Sequence, residues 1–441
     1  ERCRDLHEKV AEGIEHIHPK LAAEHPEVLA QHFAQAELYE KAADYWLAAG
    51  LNIGKTWAKV EAANMFANGL ENLAKLPPSA ERDRKELRLE LERGDILYAT
   101  FGYVTREGSA AYRNVLRLSE KLGDAEAPIR ALDGIFGTAF NSARFGDAEW
   151  ASNQLLDIGK ERSSLKALVL GMQFKGMCHF SLGHFFQARE YLEEALLYAG
   201  HADEVGSDFP SMAMSYLAWT LQMIGLDQAA IELFRAAEAD ARRLSAYRLA
   251  ACLGNGCILH ALREEANPLR RMIAELSVLA TENGFRMWQN MASFFTGWLM
   301  VRADGDLSGL QKMRYTCDNL GEQEVDKSCY LGLLADCHLQ SGDADACLAT
   351  LQQALELVES TGENYFTAEL LRLKGEALAR QGISTANAED YLFNAIEFAH
   401  RQHARIWETK AIQSLGRLQT AKNAEIGYAD AIKNPPRLRD G

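Results

Sequence analysis

The 441-residue sequence has little proline, no long apolar run and no cluster of positive charge. Its 9 prolines leave most of the chain free of helix breakers. No run approaches the roughly 18 apolar residues of a membrane span, so no membrane contact is expected. Acidic residues outnumber basic ones by 62 to 47, and the short basic stretches at residues 82–88 and 270–271 form no stripe. This balance argues against nucleic-acid binding by the chain.

Strand-like alternation is also missing, and Val, Ile and Thr are sparse beside Ala, Leu and Glu. The fold class predicted is therefore all-α. Eight cysteines are spread over the chain at mostly apolar helical positions, and no secretory signal precedes them. We expect reduced core thiols in a cytoplasmic protein. Cys252 and Cys257 lack the second pair or nearby histidines that a zinc site needs.

No arrangement typical of catalysis stands out, because no nucleophile has an adjacent base and no paired carboxylates sit in a Gly-rich turn. Histidines crowd the first 32 residues, but Pro19 and Pro26 interrupt that segment and the rings point to different faces. His400 and His403 share a helix face without acidic or cysteine partners nearby. The sequence therefore predicts no enzyme, no metal site and no cofactor.

Residues 49–56 (AGLNIGKT) satisfy a relaxed phosphate-loop pattern ending in Lys55 and Thr56. A phosphate loop must leave a buried strand, whereas residues 42–49 have the apolar spacing of a helix. We interpret the segment as a helix that ends near Gly50, followed by another helix from about Asn52.

The informative feature is a repeat of about forty residues. Gly176, Gly183, Ala188, Leu192 and Ala195 are followed at the same internal offsets by the set Ala218, Gly225, Ala230, Phe234 and Ala237. Such spacing predicts antiparallel helix pairs whose crossings need small side chains. Anchor positions 37 to 42 residues apart predict about nine pairs, with weak matches at three of them; the anchors are Ala111, Ala151, Ala188, Ala230, Pro268, Gly309, Cys347 and Ala388.

These offsets resemble the tetratricopeptide repeat (TPR), although the period is longer than in the usual repeat. The resemblance implies a right-handed superhelical solenoid with elongated repeats. At the N-terminus the resemblance is to the arrays of large bacterial regulators, in which a class III cyclase or a DNA-binding domain accompanies a STAND-type ATPase. It is carried by residues 4–12 (RDLHEKVAE), 26–33 (PEVLAQHF), 40–50 (EKAADYWLAAG), 69–73 (GLENL), 76–77 (LP), 280–285 (ATENGF) and 356–363 (ELVESTGE).

The resemblance implies that catalytic residues lie upstream of Glu1 and that this region is a non-catalytic sensor or protein-interaction array. Its expected ligand is a partner protein, the chain's own upstream domains or a small-molecule effector. The alternative is a free-standing scaffold for protein assembly. The expected organisation is a helical lead-in at 1–50, a solenoid at 51–420 and an irregular tail at 421–441.

In the tetratricopeptide pattern, the first-helix residues three before, one after and four after the central small residue face the groove. The projected wall is rich in aromatic side chains and suits a peptide, a sugar-like or a heterocyclic ligand. Packing of the same stripe inside a tightly coiled array is the open alternative. The candidate groove residues are Phe136, Phe140, Arg144, Gln173, Met177, Phe180, Ser215, Trp219, Gln222, Phe294 and Trp298.

Overall fold

A computed structural model of the chain describes residues 1–54, 58–101, 106–199, 210–321, 323–382 and 385–433. These ranges contain 22 α-helices and no strand, so the all-α prediction is confirmed. The helices are α1 Arg2–Ile17, α2 Pro19–Glu24, α3 Pro26–Gln35, α4 Tyr39–Gly54, α5 Lys59–Leu73, α6 Ala80–Phe101, α7 Arg106–Leu122, α8 Ala127–Asn141, α9 Phe145–Glu161, α10 Leu165–Ser181, α11 Phe185–Ala199, α12 Pro210–Met223, α13 Asp227–Ala241, α14 Ala246–Leu262, α15 Ala266–Glu282, α16 Arg286–Arg302, α17 Ser308–Asn319, α18 Lys327–Gln340, α19 Ala344–Thr361, α20 Thr367–Gln381, α21 Thr385–Gln402 and α22 Arg405–Lys433.

Consecutive helices pack in pairs, and the part of the chain described from α4 to α21 contains nine of them. A small residue in the first helix of a pair faces a large side chain 16 positions later. A Cβ atom added to Gly176 would lie 2.5 Å from Leu192, and one added to Gly256 would lie 2.3 Å from Met272. Any larger side chain at these glycines would push the helices apart. The same spacing joins Gly50 to Phe66 and Gly297 to Met313.

Two of these crossings belong to the repeats anchored at Pro268 and Gly309, whose sequence match is weak. The backbones of α16 and α17 come especially close, since a Cβ on Gly297 would lie 2.7 Å from the carbonyl oxygen of Gly309. These two weak matches are therefore genuine repeats, in which proline or glycine replaces the usual alanine and methionine replaces the usual leucine.

A glycine occurs seven residues after the central small residue because the turn between the two helices of a pair needs a positive φ angle there. Gly183, Gly225 and Gly342 have φ angles of 80°, 83° and 89°. This left-handed region is open to glycine at no steric cost. The turn after α14 uses Glu264 instead, with φ at 59°.

The chain divides into two compact units. The first comprises residues 1–171 with 284–286, and the second comprises residues 172–283 with 287–441. Helices α1 to α9 lie in the first unit, and the C-terminal helix α22 of the second unit continues to Lys433. The lead-in, solenoid and tail boundaries drawn from the sequence stay predictions.

Candidate functional site

In the first unit, the candidate groove residues lie on α8 and in the turn after it. Phe136 and Phe140 are buried and stack with their ring centroids 5.3 Å apart. Arg144 is exposed and pairs with Asp147 at 2.6 Å across one turn. An exposed pair of this kind contributes about 0–1 kcal/mol, so Arg144 is available to other partners.

The candidates on α10 and α12 lie inside the second unit. Phe180 contacts the rings of Trp219 and Tyr365 at centroid distances of 5.4 and 5.0 Å. The indole Nε1 of Trp219 donates a hydrogen bond to the carbonyl of Asn255 at 3.0 Å. All six candidates on these two helices are buried, namely Gln173, Met177, Phe180, Ser215, Trp219 and Gln222.

The polar candidates of α12 are satisfied within the protein. Ser215 donates to the carbonyl of Ser211 at 2.8 Å. Gln222 donates to Asp227 at 2.9 Å and accepts from Arg263 at 2.6 Å. Their hydrogen-bonding groups therefore stabilise helix starts and turns in this state.

The candidates on α16 are packed in the same way. Phe294 is fully buried, and its ring lies 4.7 Å from that of Tyr330. Trp298 is 3% exposed, and the guanidinium of Arg302 lies over its ring at 5.7 Å. The aromatic stripe is thus part of the core in this structure, and its contact with a ligand stays a prediction.

The physical reason is a contact between distant repeats of the second unit. The amides of Asn364 and Tyr365, just before α20, donate to the carbonyl of Ser181 at 2.8 and 3.2 Å. Trp407 on α22 donates from Nε1 to the carbonyl of Tyr365 at 3.1 Å. We call this set of contacts the closing contact. It covers the Phe180 side of the stripe with protein.

Two of the candidates keep an unpartnered polar atom although they are buried. Oε1 of Gln173 and Nε1 of Trp298 have no hydrogen-bond partner among the described residues. Leaving such an atom unpaired costs about 1–3 kcal/mol. A small rearrangement or an added group that supplied a hydrogen bond to either atom would therefore be favourable.

A second surface of the same unit remains open. It is a cavity of about 720 Å³ to which α16, α18, α20 and α22 contribute side chains. We call it the charged groove, because it contains four acidic and five basic side chains. They are Glu264, Asp336, Glu369, Glu376, Arg302, Arg372, Arg380, Lys410 and Arg417.

Arg372 and Glu369 form the buried base of the groove. The guanidinium donates from Nε and Nη2 to the two oxygens of Glu369 at 2.7 and 2.8 Å. Its Nη1 reaches Glu376 at 2.9 Å and the hydroxyl of Ser414 at 3.2 Å. This planar fork of donors fixes α20 against α22.

A second ion network lies toward the turn after α14. Arg302 pairs with Glu264 at 2.9 Å and with Asp336 at 3.1 Å. Lys410 on α22 approaches Glu264 at 3.6 Å, so Glu264 connects residues of two distant helices across the groove. Arg380 makes a hydrogen bond to the backbone carbonyl of Leu339 and no ion pair within the described residues. It is the groove's free positive charge.

Burial and neighbouring charge act in opposite directions on the groove carboxyls. Burial raises the pKa of Asp336 and outweighs the guanidinium of Arg302. For Glu369, burial also raises the pKa, but Arg372 and Lys410 more than compensate and hold it below its usual value. The base of the groove is therefore ionised at neutral pH.

Sequence reasoning missed this surface, although the signal was present. The central small residues of α18 and α20 are Ala335 and Gly375, and the offset rule was not applied to them. Applied there, it gives Asp336 as well as Arg372 and Glu376. Three of the groove's charged residues could thus have been found from the repeat alone.

The other predicted sites fare as follows. Lys55 and Thr56 of the phosphate-loop pattern lie outside the described residues. Within the described ranges, no three His, Cys, Asp or Glu side chains form a cluster that could hold a metal ion. The Nδ1 atoms of His7 and His32 lie 2.7 Å apart. Seven of the eight cysteines are buried, Cys3 is exposed, and none of the eight forms a disulfide. None of the described helices combines the length and apolarity needed to span a bilayer.

The fold and the groove define a helical-repeat protein of TPR-like pairs. No family model matches the chain. An uncharacterized protein of Rhizobium meliloti is 21% identical over 404 residues, which are 88% of this chain and 39% of that protein. The chain thus spans about two fifths of the length of that relative.

Solved structures with similar helical arrangement include a Rap protein complexed with competence and sporulation factor, with 15% identity and a TM-score of 0.48 over 87% of this chain and 99% of the other. The Cut9 and Hcn1 hetero-tetramer of the APC/C has 15% identity and a TM-score of 0.46 over 90% and 76%. Yeast Tom70 has 14% identity and a TM-score of 0.36 over 95% and 97%.

Proposed function

We propose that this chain is a non-catalytic interaction region that binds a polar segment of a partner protein, or of its own longer chain, in the charged groove. The observation that carries the proposal is the convergence of nine charged side chains on one open cavity of about 720 Å³. Charged side chains ordinarily point outward on a helical array and do not converge. Here three of them, Asp336, Arg372 and Glu376, lie at the repeat positions that the offset rule predicts to face inward.

The chemistry of the groove favours a polar segment over a compact apolar molecule. Sites for small molecules are mostly apolar with a few polar groups, whereas both signs of charge line this cavity. A bound segment would exchange its own charges with the groove's weaker ion pairs, such as Lys410 with Glu264 at 3.6 Å. Such electrostatic matching contributes mainly specificity and association rate.

The proposal extends to regulation of a domain elsewhere in a longer chain. The Rhizobium meliloti relative supports this extension, because the match covers 39% of that protein and the rest of its length is sufficient for further domains. Binding would regulate such a domain if the partner's affinity differed between two states of the array.

The test is a fluorescence-anisotropy screen of the whole chain against a library of labelled ten-residue peptides that vary in acidic and basic content. We expect binding by peptides that carry charge and weaker binding at high salt. The double variant Arg380→Ala and Lys410→Ala removes the exposed guanidinium of Arg380 and the half-buried ammonium of Lys410, and it should abolish binding by peptides with acidic side chains.

The matched control is Arg243→Ala, which removes a cation that is 75% exposed and lies outside the groove. Equal loss in the control and in the groove variant would exclude the groove as the site. Failure of every peptide, together with concentration-dependent self-association in light scattering, would support the free-standing scaffold instead.

A further inference from the structure

Two carboxylic acids are buried near the closing contact without a positive partner. Asp326 precedes α18 and is 9% exposed, while Glu363 precedes α20 and is 2% exposed. The amide of Asp326 and the hydroxyl of Ser328 donate to Glu363 at 2.9 and 2.7 Å. Asp326 in turn accepts a hydrogen bond from the hydroxyl of Tyr365 at 2.7 Å. Neither carboxyl has a cation within ion-pair distance in the described ranges.

The remaining charged groups nearby have other partners. Glu324 accepts from the amide of Gly321 at 2.8 Å, and the ammonium of Lys327 donates to the carbonyl of Gly321 at 2.8 Å. Glu369 is neutralised by Arg372. The other titratable groups near the pair are neutral at physiological pH, namely Cys329, Tyr330 and Tyr365.

The backbone at Asp326 is held in an uncommon conformation. Its φ angle is 66°, in the left-handed region that non-glycine residues seldom adopt. The hydrogen bond from its amide to Glu363 stabilises this conformation. Strained backbone of this kind persists only where surrounding contacts over-determine it, and it is enriched at switch regions.

The carboxyl pair is connected directly to the closing contact. Tyr365 donates from its hydroxyl to Asp326 and from its amide to the carbonyl of Ser181. Its ring also packs against Phe180 at 5.0 Å, and its carbonyl accepts from Trp407. A change at Asp326 therefore displaces the residue that joins α10, α20 and α22.

We propose that Asp326 and Glu363 form a proton-operated lock, which keeps the closing contact in place while at least one carboxyl is protonated and loosens it when both ionise. A protonated Glu363 can donate to Ser328, whose hydroxyl then turns to accept. Two ionised carboxylates would repel each other in an interior that offers no cation. Loosening would start at Tyr365 and reach the aromatic stripe beneath it.

The direction of the pH dependence follows from burial. Burial raises the pKa of Asp326 to about 6 and that of Glu363 to about 8. In the unfolded chain both groups lose their protons at lower pH, near 4. The folded state therefore binds more protons, so the lock is fully formed at low pH. It survives the first ionisation, near pH 6, and is lost as pH rises through about 8, where the second carboxyl ionises.

The experiment is amide hydrogen exchange of the full chain between about pH 5 and pH 9, corrected for the intrinsic pH dependence of exchange. We expect the protection of the Asn364 and Tyr365 amides to fall by about tenfold or more across this range. In Glu363→Gln, which carries a neutral isostere, protection should stay level. Constant protection in the wild type, or an unchanged pH dependence in Glu363→Gln, would overturn the proposal.

Two further variants keep the test decisive. Glu359→Gln changes an exposed carboxyl in the last turn of α19, four residues before Glu363, and should behave as the wild type does. If Glu363→Gln fails to fold, Tyr365→Phe serves in its place. Loss of the phenol hydroxyl removes a hydrogen bond that favours ionised Asp326, so the midpoint should move to higher pH. An unmoved midpoint contradicts the lock.

Discussion

The inner positions of α10 and α12 and those of α18 and α20 occupy the same places in the repeat, yet they have opposite fates. The first set contains Met177, Phe180 and Trp219, which are all buried, and Phe180 packs against Tyr365 of a distant repeat. The second contains Asp336, Arg372 and Glu376, which line a cavity. The position in the repeat sets the direction of a side chain. The polarity of that side chain then decides whether it is buried by other protein segments or faces solvent. Aromatic rings are stabilised when other parts of the protein bury them, whereas ion pairs can remain in contact with water.

The largest effect on this comparison is expected from Trp219→Ala. Removal of a fully buried indole together with its hydrogen bond to Asn255 should cost about 3–5 kcal/mol in the free energy of unfolding, measured by urea titration. Phe186→Ala, at a ring that is 47% exposed, is the control and should cost much less. A loss below about 1 kcal/mol at Trp219 would mean that the stripe is not packed in solution.

Arg372→Met probes the charged side of the comparison. It leaves the carboxylate of Glu369 buried without its partner, which should cost about 3 kcal/mol or more by urea titration. The double variant Glu369→Leu and Arg372→Met removes both charges and should recover much of that stability. If the double variant is as unstable as the single one, packing and not charge decides this part of the groove.

Ala188→Leu tests the crossing of α10 and α11, the pair that carries Met177 and Phe180. Ala188 is fully buried at this crossing, and its carbonyl oxygen would lie 3.3 Å from a Cβ atom added to Gly176. The larger side chain should overpack the crossing and cost about 1–3 kcal/mol in the same titration. A neutral effect would show that the register of this pair is wrong.

The smallest effect is expected from Arg417→Gln at the exposed rim of the groove. Its pair with Glu376 at 2.6 Å is open to water on the arginine side, so its loss should cost about 0–1 kcal/mol. A cost comparable with that of Arg372→Met would mean that the groove is less hydrated than its position indicates.

Much of the fold was predictable because the repeat is a local pattern. Helix pairs, turn glycines and small residues at crossings depend on spacing along the chain. Gly176 and Leu192 are an example, since a small residue in one helix faces a large one in the next. That Phe180 lines a groove stays a prediction, because its ring packs against Tyr365, a residue of a repeat far along the chain. No local sequence pattern predicts a contact between residues so far apart in the chain.

The sequence by itself determined that this chain is helical and that its helices pair, because both follow from periodicity and side-chain size. The tertiary structure decided which inward positions are covered and which stay open. That choice rests on contacts between distant repeats, such as those of Ser181 with Tyr365 and of Glu264 with Lys410. Small changes in helix angle add up over several repeats, and only their sum determines where two distant repeats meet.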